Sequence, residues 1–307
     1  MFLYTYNIKK EEGNVNINEK EAIKVSVLSI ISNVFLTIIK FLVGFISHSQ
    51  ALISDAIHSL SDVLSTIVVI IGVKLSNKKA DKDHPYGHER LECVASIILA
   101  IMLMLTGIGI GATGIESIIE GRQSAITLST LALIIAIVSI LTKEAMYWYT
   151  RKVAKKINSG ALLADAWHHR SDALSSVGSF LGILGAKLGF PVLDSIASII
   201  ICLFIIKVAY DIFKDAVNKM VDKACDDVTL KKIEDIIYET KEVIKIDDLK
   251  TRKFGNRYYI DVEIAVDKDM SVSSAHTVAH HVHDNIENRL PSTKHCMVHV
   301  NPFEKEN

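Results

Sequence analysis

The feature that most constrains this chain is the grouping of its apolar residues. They form six runs, roughly over residues 22–47, 50–75, 91–118, 124–146, 161–187 and 190–214. Each is near or above the ~20 residues that an α-helix needs to cross hydrocarbon. The whole chain has 307 residues, of which 50% are hydrophobic and only 22% charged. A soluble chain of this size carries more charge. The connections between the runs alternate in character. HSQ, EGRQSA and GFP are short and carry little positive charge, whereas KLSNKKADKDHPYGHER and YTRKVAKKINSG are longer and basic. Basic loops stay in the cytoplasm. This predicts a multi-pass protein of the plasma or inner membrane with both termini on the cytoplasmic side, which an even number of spans requires.

The remainder of the chain is of a different kind. Residues 1–20 are polar and lack the apolar core and cleavage site of a signal peptide, so they read as a cytosolic tail. Residues 21–214 form the expected six-helix transmembrane domain. Residues 215–307 resemble an ordinary small soluble domain in composition. DVTLKKIEDIIYETK reads as an amphipathic helix capped by Asp226–Asp227. Two strands joined at Gly255–Asn256 follow, then a serine-capped helix from SVSSAHTVAHHVHDNIENRL, then a strand, KHCMVHVNP, ended by Pro302. The order αββαβ predicts a ferredoxin-like α+β domain with one antiparallel sheet. The net charge of −1 gives no basic field for nucleic acid. Cys93, Cys202, Cys225 and Cys296 lie far apart, with no CxxC pair, as suits a reducing face and membrane burial.

The chemistry lies in a repeated pattern. The second run contains Asp55-x₂-His58-x₃-Asp62, and the fifth contains Asp165-x₂-His168-x₃-Asp172. Positions i, i+3 and i+7 fall on one stripe of a helix. His58 and Asp62, and likewise His168 and Asp172, therefore point the same way, one turn apart. Each ionisable group at membrane depth costs ~2.5–3.5 kcal/mol even on lenient scales. A cation held between the two helices offsets that cost. Two imidazoles and two carboxylates suit tetrahedral Zn²⁺. Mg²⁺ and Ca²⁺ prefer oxygen alone, while Mn²⁺ and Fe²⁺ remain compatible. A single buried histidine or aspartate also serves as a plain hydrogen bond between helices; two copies of one stripe favour ligands. Asp55 and Asp165 either orient the imidazoles or line a water-filled entrance. His169, turned about 100° from His168, reads as a cavity-facing or structural residue. Lys40 and Asp194 also lie in apolar runs, Lys40 near enough to an outer end to snorkel.

With these residues in view, the chain resembles the cation diffusion facilitators, six-span metal/proton antiporters with a cytosolic C-terminal domain. The two HxxxD motifs, the loop DKDHPYGHER and the closing HVNP carry the resemblance, which covers nearly the whole chain after the tail. It implies that His58, Asp62, His168 and Asp172 form the transport site, that HxxxD on both helices favours zinc, and that protons exchange for metal at these ligands by alternating access. Cd²⁺ and Co²⁺ are further candidate substrates. It implies a second metal site at Asp81, His84 and His88, where a solvated loop with incidental histidines is the plainer alternative.

It also implies a homodimer supported by a C-terminal metal site at Asp247, Glu263, His276, His299 and Asn301. Better-known zinc exporters have histidine at the positions of Asp247 and Glu263, and aspartate at that of Asn301, which weakens this site. His280, His281 and His283 read instead as an exposed helix face. Arg90 and Asp222 match a charge interlock between the membrane and soluble parts; an ordinary surface pair there contributes only ~0–1 kcal/mol. The expectation is a transporter and no enzyme: His88-Glu89-Arg90-Leu91-Glu92 lacks the second histidine of HExxH. A metal sensor is a distant third, because ligands deep in two membrane helices serve it poorly.

Overall fold

A computed structural model describes residues 2–46, 50–120, 130–187, 192–254 and 257–304. The side chains of some helical positions, Asp55, His58 and Asp194 among them, lie outside that description. So do Gly255–Asn256 and most of the three short connections. The chain divides into two compact units between Ala216 and Val217.

The first unit is built from six long helices: α1 (Phe2–Ile46), α2 (Gln50–Ser76), α3 (Arg90–Glu120), α4 (Thr130–Ile157), α5 (Gly160–Lys187) and α6 (Val192–Met220). They follow the six apolar runs. The polar opening stretch is helical and continuous with the first run. Among the described residues, two stretches, Asn18–Val43 and Arg90–Glu116, are long and apolar enough by composition to cross a membrane. α2 and α5 carry the repeated ionisable stripes along with their apolar residues.

This unit exposes many large apolar side chains and buries several polar ones. Phe35, Leu105, Leu141 and Leu203 are each at least 60% exposed, whereas Ser26, Ser29, Asn33, Ser59, Ser65 and Thr66 are buried. Large apolar side chains thus cover much of the outside, and small polar ones share the interior with Leu36, Leu103, Tyr147 and Leu162. The helices meet through small residues. Ala22 and Val25 of α1, Val69 and Val73 of α2, Ala95 and Leu99 of α3, and Ala161 and Ala164 of α5 belong to one buried cluster. α2 packs against α1, α3 and α5, while α4 packs against α1 and α5.

The second unit runs α7 (Asp227–Tyr238), β1 (Lys245–Phe254), β2 (Arg257–Asp267), α8 (Val272–Arg289) and β3 (Thr293–Phe303). Asp226 caps α7 by accepting the Thr229 N–H, which holds its carboxyl below the ordinary range. Ser271 caps α8 by accepting the Ser274 N–H. Ile233, Ile237, Ile260, Ile264, Val282, Ile286 and Cys296 form the core. Burial there pushes the Cys296 thiol up to about 12. All four cysteines are buried thiols outside any disulfide.

The sheet corrects two expectations. Its order is β1-β2-β3, with β1 and β2 antiparallel but β2 and β3 parallel. The sheet is mixed because α8 is a crossover: it returns the chain to the same end of β2, so β3 runs alongside it. Pro302 does not end β3 but pairs in register with Val266. β3 is an edge strand, the place in a sheet where a proline is tolerated.

The α2–α3 contact gives a test. A Cβ at Gly72 would stand well inside contact distance of the Ala95 methyl carbon, and that methyl has no rotamer to move away. Gly72→Val is expected to force α2 from α3 and lower the melting temperature of the detergent-solubilised protein by several degrees. An unchanged melting curve would show that the helices separate freely here.

Candidate metal centre

α2 and α5 meet so that Asp62 of the first stripe faces His168 and Asp172 of the second. Asp62 of α2 is 1% exposed; His168 and Asp172 of α5 are 7% exposed. One ligand atom from each lies within 4.8 Å of the other two. A tetrahedral ion with bonds of ~2.0–2.2 Å holds its ligands about 3.4 Å apart, so a short contraction would close this trio around a metal. His168 Nε2 stands 3.2 Å from Asp62 Oδ1 and links the two helices directly. His58 lies one helical turn before Asp62 in α2, and its side chain is outside the described residues.

Sequence reasoning missed one member of this centre. Lys143 of α4 donates to Asp172 Oδ2 at 2.9 Å and to Asp62 Oδ2, with only 4% of its side chain exposed. Its neighbour Glu144 faces elsewhere. It accepts from Trp148 Nε1 at 2.8 Å and lies 3.7 Å from the Arg170 guanidinium, which covers the Tyr147 ring. Consecutive helical residues diverge by about 100°, so one charge turns inward and the next outward. The available signal was an ionisable residue inside the fourth apolar run, by default a functional candidate.

Asp165 and His169 form a second buried group. Asp165 accepts from Thr66 Oγ1 at 3.2 Å, and its other oxygen is 3.5 Å from His169 Nε2. Asp165 and His169 are both fully buried. These contacts tie α5 to α2 beside the centre and run to His169 and not to His168. The Asp55 side chain is outside the described residues. Lys40, buried in α1, donates to Ser59 Oγ at 2.9 Å and so turns inward and does not snorkel.

The loop before α3 brings Asp81, His84 and His88 together, again with ligand atoms within 4.8 Å of one another. Asp81 Oδ1 accepts the His84 N–H at 2.8 Å, and Asp81 Oδ2 lies 3.4 Å from His88 Nε2. Gly87, at φ 95°, lets the turn close, a backbone conformation that side chains resist. Lys78 donates to Asp81 at 2.7 Å. That ammonium, with the His84 N–H, holds the Asp81 carboxyl well below the carboxylate range.

The C-terminal set is partly assembled. The Asn301 amide donates to Asp247 at 3.1 Å and to Glu263 at 3.3 Å. This amide, with Lys245, holds the Asp247 carboxyl below its ordinary range. Asp247 is the extra residue of a bulge between Ile246 and Asp248, and bulges re-aim side chains. His299 sits in register beside Glu263. The His276 ring instead packs edge-on against His280, 5.1 Å between centroids. His283 departs from the exposed-face expectation: it is half-buried, with Nδ1 2.8 Å from the Cys296 carbonyl. Of the suggested interlock, Arg90 opens α3 in the first unit, and Asp222 follows α6 in the second, in the left-handed region at φ 60°.

Comparison with known proteins bears on this geometry. Residues 26–221 match the cation efflux transmembrane domain, and residues 225–303 match the cation efflux protein cytoplasmic domain. The chain is 39% identical to the transporter MJ0449 of Methanocaldococcus jannaschii, over 92% of this chain and 98% of that one. It is 31% identical to the manganese efflux system protein MneP of Bacillus subtilis, over 94% and 99%. It is 34% identical to the magnetosome protein MamB of a Magnetospira species, over 88% and 92%.

The loop cluster can be tested by itself. His88→Ala is expected to remove one bound metal ion per chain, measured by elemental mass spectrometry of the desalted protein. Unaltered stoichiometry would show that the cluster is a hydrogen-bonded turn and nothing more.

Proposed function

The chain belongs to the cation diffusion facilitator family, membrane transporters of divalent metal cations and not enzymes, and from that membership we propose that it exports Zn²⁺ in exchange for protons by alternating access. The transport site is Asp62, His168 and Asp172, with His58 as fourth ligand. All six long helices span the bilayer. The basic loops and both termini face the cytoplasm of a plasma or inner membrane, and two chains pair as a homodimer through the C-terminal unit.

The observation that carries this reading is the burial of two carboxylates and an imidazole together, on two helices, within reach of one ion. Burying that many ionisable groups is costly unless positive charge, from the Lys143 ammonium or from a bound cation, compensates them. An imidazole nitrogen beside carboxylate oxygens suits a borderline ion such as Zn²⁺. Metal binding requires deprotonated ligands, and imidazole titrates near neutrality. A proton gradient can therefore load protons where the metal leaves.

A second reading keeps the mechanism and changes the ion to Mn²⁺. A relative over nearly the full length is named for manganese efflux, and an oxygen-rich donor set also suits Mn²⁺. Fe²⁺, Cd²⁺ and Co²⁺ compete for the same donors.

Flux into proteoliposomes under an imposed pH gradient separates these readings. Asp62→Asn and Asp172→Asn are each expected to lower flux at least tenfold. Normal flux in both would remove the carboxylate pair from the pathway. Faster Zn²⁺ than Mn²⁺ uptake supports the first reading, and the reverse order supports the second. Flux indifferent to the gradient would sink proton coupling.

A further inference from the structure

We propose that the Lys143 ammonium is a tethered cation that occupies the carboxylate pair when metal is absent, so that metal must displace it to load and its return promotes release. The proposal rests on the reading of Asp62, His168 and Asp172 as the transport site and adds a regulator built into that site.

Three observations carry it. Lys143 belongs to α4, while the carboxylates it bridges belong to α2 and α5. One ammonium thus joins both helices that supply ligands, from a third helix that supplies none. Its donor contacts fall on Asp62 Oδ2 and Asp172 Oδ2, two of the three residues that converge on the candidate ion position. The lysine is therefore within the ligand set and not at its rim. Its side chain is only 4% exposed, so water does little to screen it.

Charge counting gives the consequence. Two carboxylates and one ammonium sum to −1. A divalent ion in place of the ammonium brings the pair to neutrality, whereas a divalent ion beside the ammonium leaves an excess positive charge. Like charges at adjacent positions in a weakly screening interior repel strongly. Metal and ammonium therefore exclude one another. Lysine suits the task because its compact charge sits on a flexible four-carbon stem. The loop cluster repeats the motif in exposed form, with the Lys78 ammonium on Asp81.

Such a competitor lowers the resting affinity for metal and keeps the emptied carboxylates compensated. A lysine that only braced the helices would have the opposite signature. Its loss would loosen the site and weaken binding.

The test is isothermal titration of the full-length protein in nanodiscs with Zn²⁺ alone, in a His84→Ala/His88→Ala background that removes the loop cluster. Lys143→Gln is expected to bind Zn²⁺ at least tenfold more tightly and to release it more slowly in flux assays. Equal or weaker binding overturns the proposal. Lys143→Arg keeps the charge in a planar fork that pairs carboxylates bidentately, and it is expected to bind Zn²⁺ at least tenfold more weakly. Should Lys143→Gln not fold, wild-type affinity in Lys143→Arg overturns the proposal instead. Asp62→Asn in the same background keeps the two levels apart. Loss of tight binding there upholds the site, so that a failed lysine test refutes the lysine alone. Unchanged binding refutes the site and the lysine proposal with it.

Discussion

Two carboxylates buried between helices need positive charge beside them, and the membrane unit is organised around that need. Asp62 and Asp172 are withdrawn from water on different helices. Left uncompensated, each would cost several kcal/mol. Lys143 meets the need from α4, and His168 links across to Asp62. The surrounding interior follows the same logic. Serines, threonines and an asparagine line the inside, while phenylalanine, leucine and isoleucine cover the outside. Small residues bring the backbones close, as where Gly72 meets Ala95.

The same theme recurs outside the helices. In the loop, Lys78 sits on Asp81 beside two histidines. In the C-terminal unit, the Asn301 amide bridges Asp247 and Glu263. Each carboxylate group that the sequence suggests as a metal ligand thus already holds an internal donor. The strength of that donor differs: a buried ammonium, an exposed ammonium and a neutral amide. Buried charge interactions are the least screened, so the internal donor is held most strongly in the membrane centre.

Much of this was legible in the sequence because it depends on period and local spacing. Each of the six apolar runs overlaps one of α1 to α6, although α1 starts well before its run and α4 extends beyond its own, and the αββαβ order and both helix caps follow from short-range patterns. The D-x₂-H-x₃-D stripe placed Asp62, His168 and Asp172 on facing surfaces once α2 met α5. What could not be read depends on distant partners. Lys143 lies 81 residues from Asp62 and 29 from Asp172, and no local pattern joins them. Strand direction is likewise non-local. The β3 segment looks the same from either end, and only the α8 crossover makes it parallel to β2. The role of Asp247 needs the β1 bulge, which leaves no signal in composition.

The most direct test of the central claim is anomalous diffraction from crystals of the wild-type protein grown with Mn²⁺ or Zn²⁺, recorded at the metal edge. The account requires a peak bounded by Asp62, His168 and Asp172, with the Lys143 side chain withdrawn from both carboxylates. A metal peak at the loop cluster, with no peak between α2 and α5 and Lys143 still bridging Asp62 and Asp172, would contradict it.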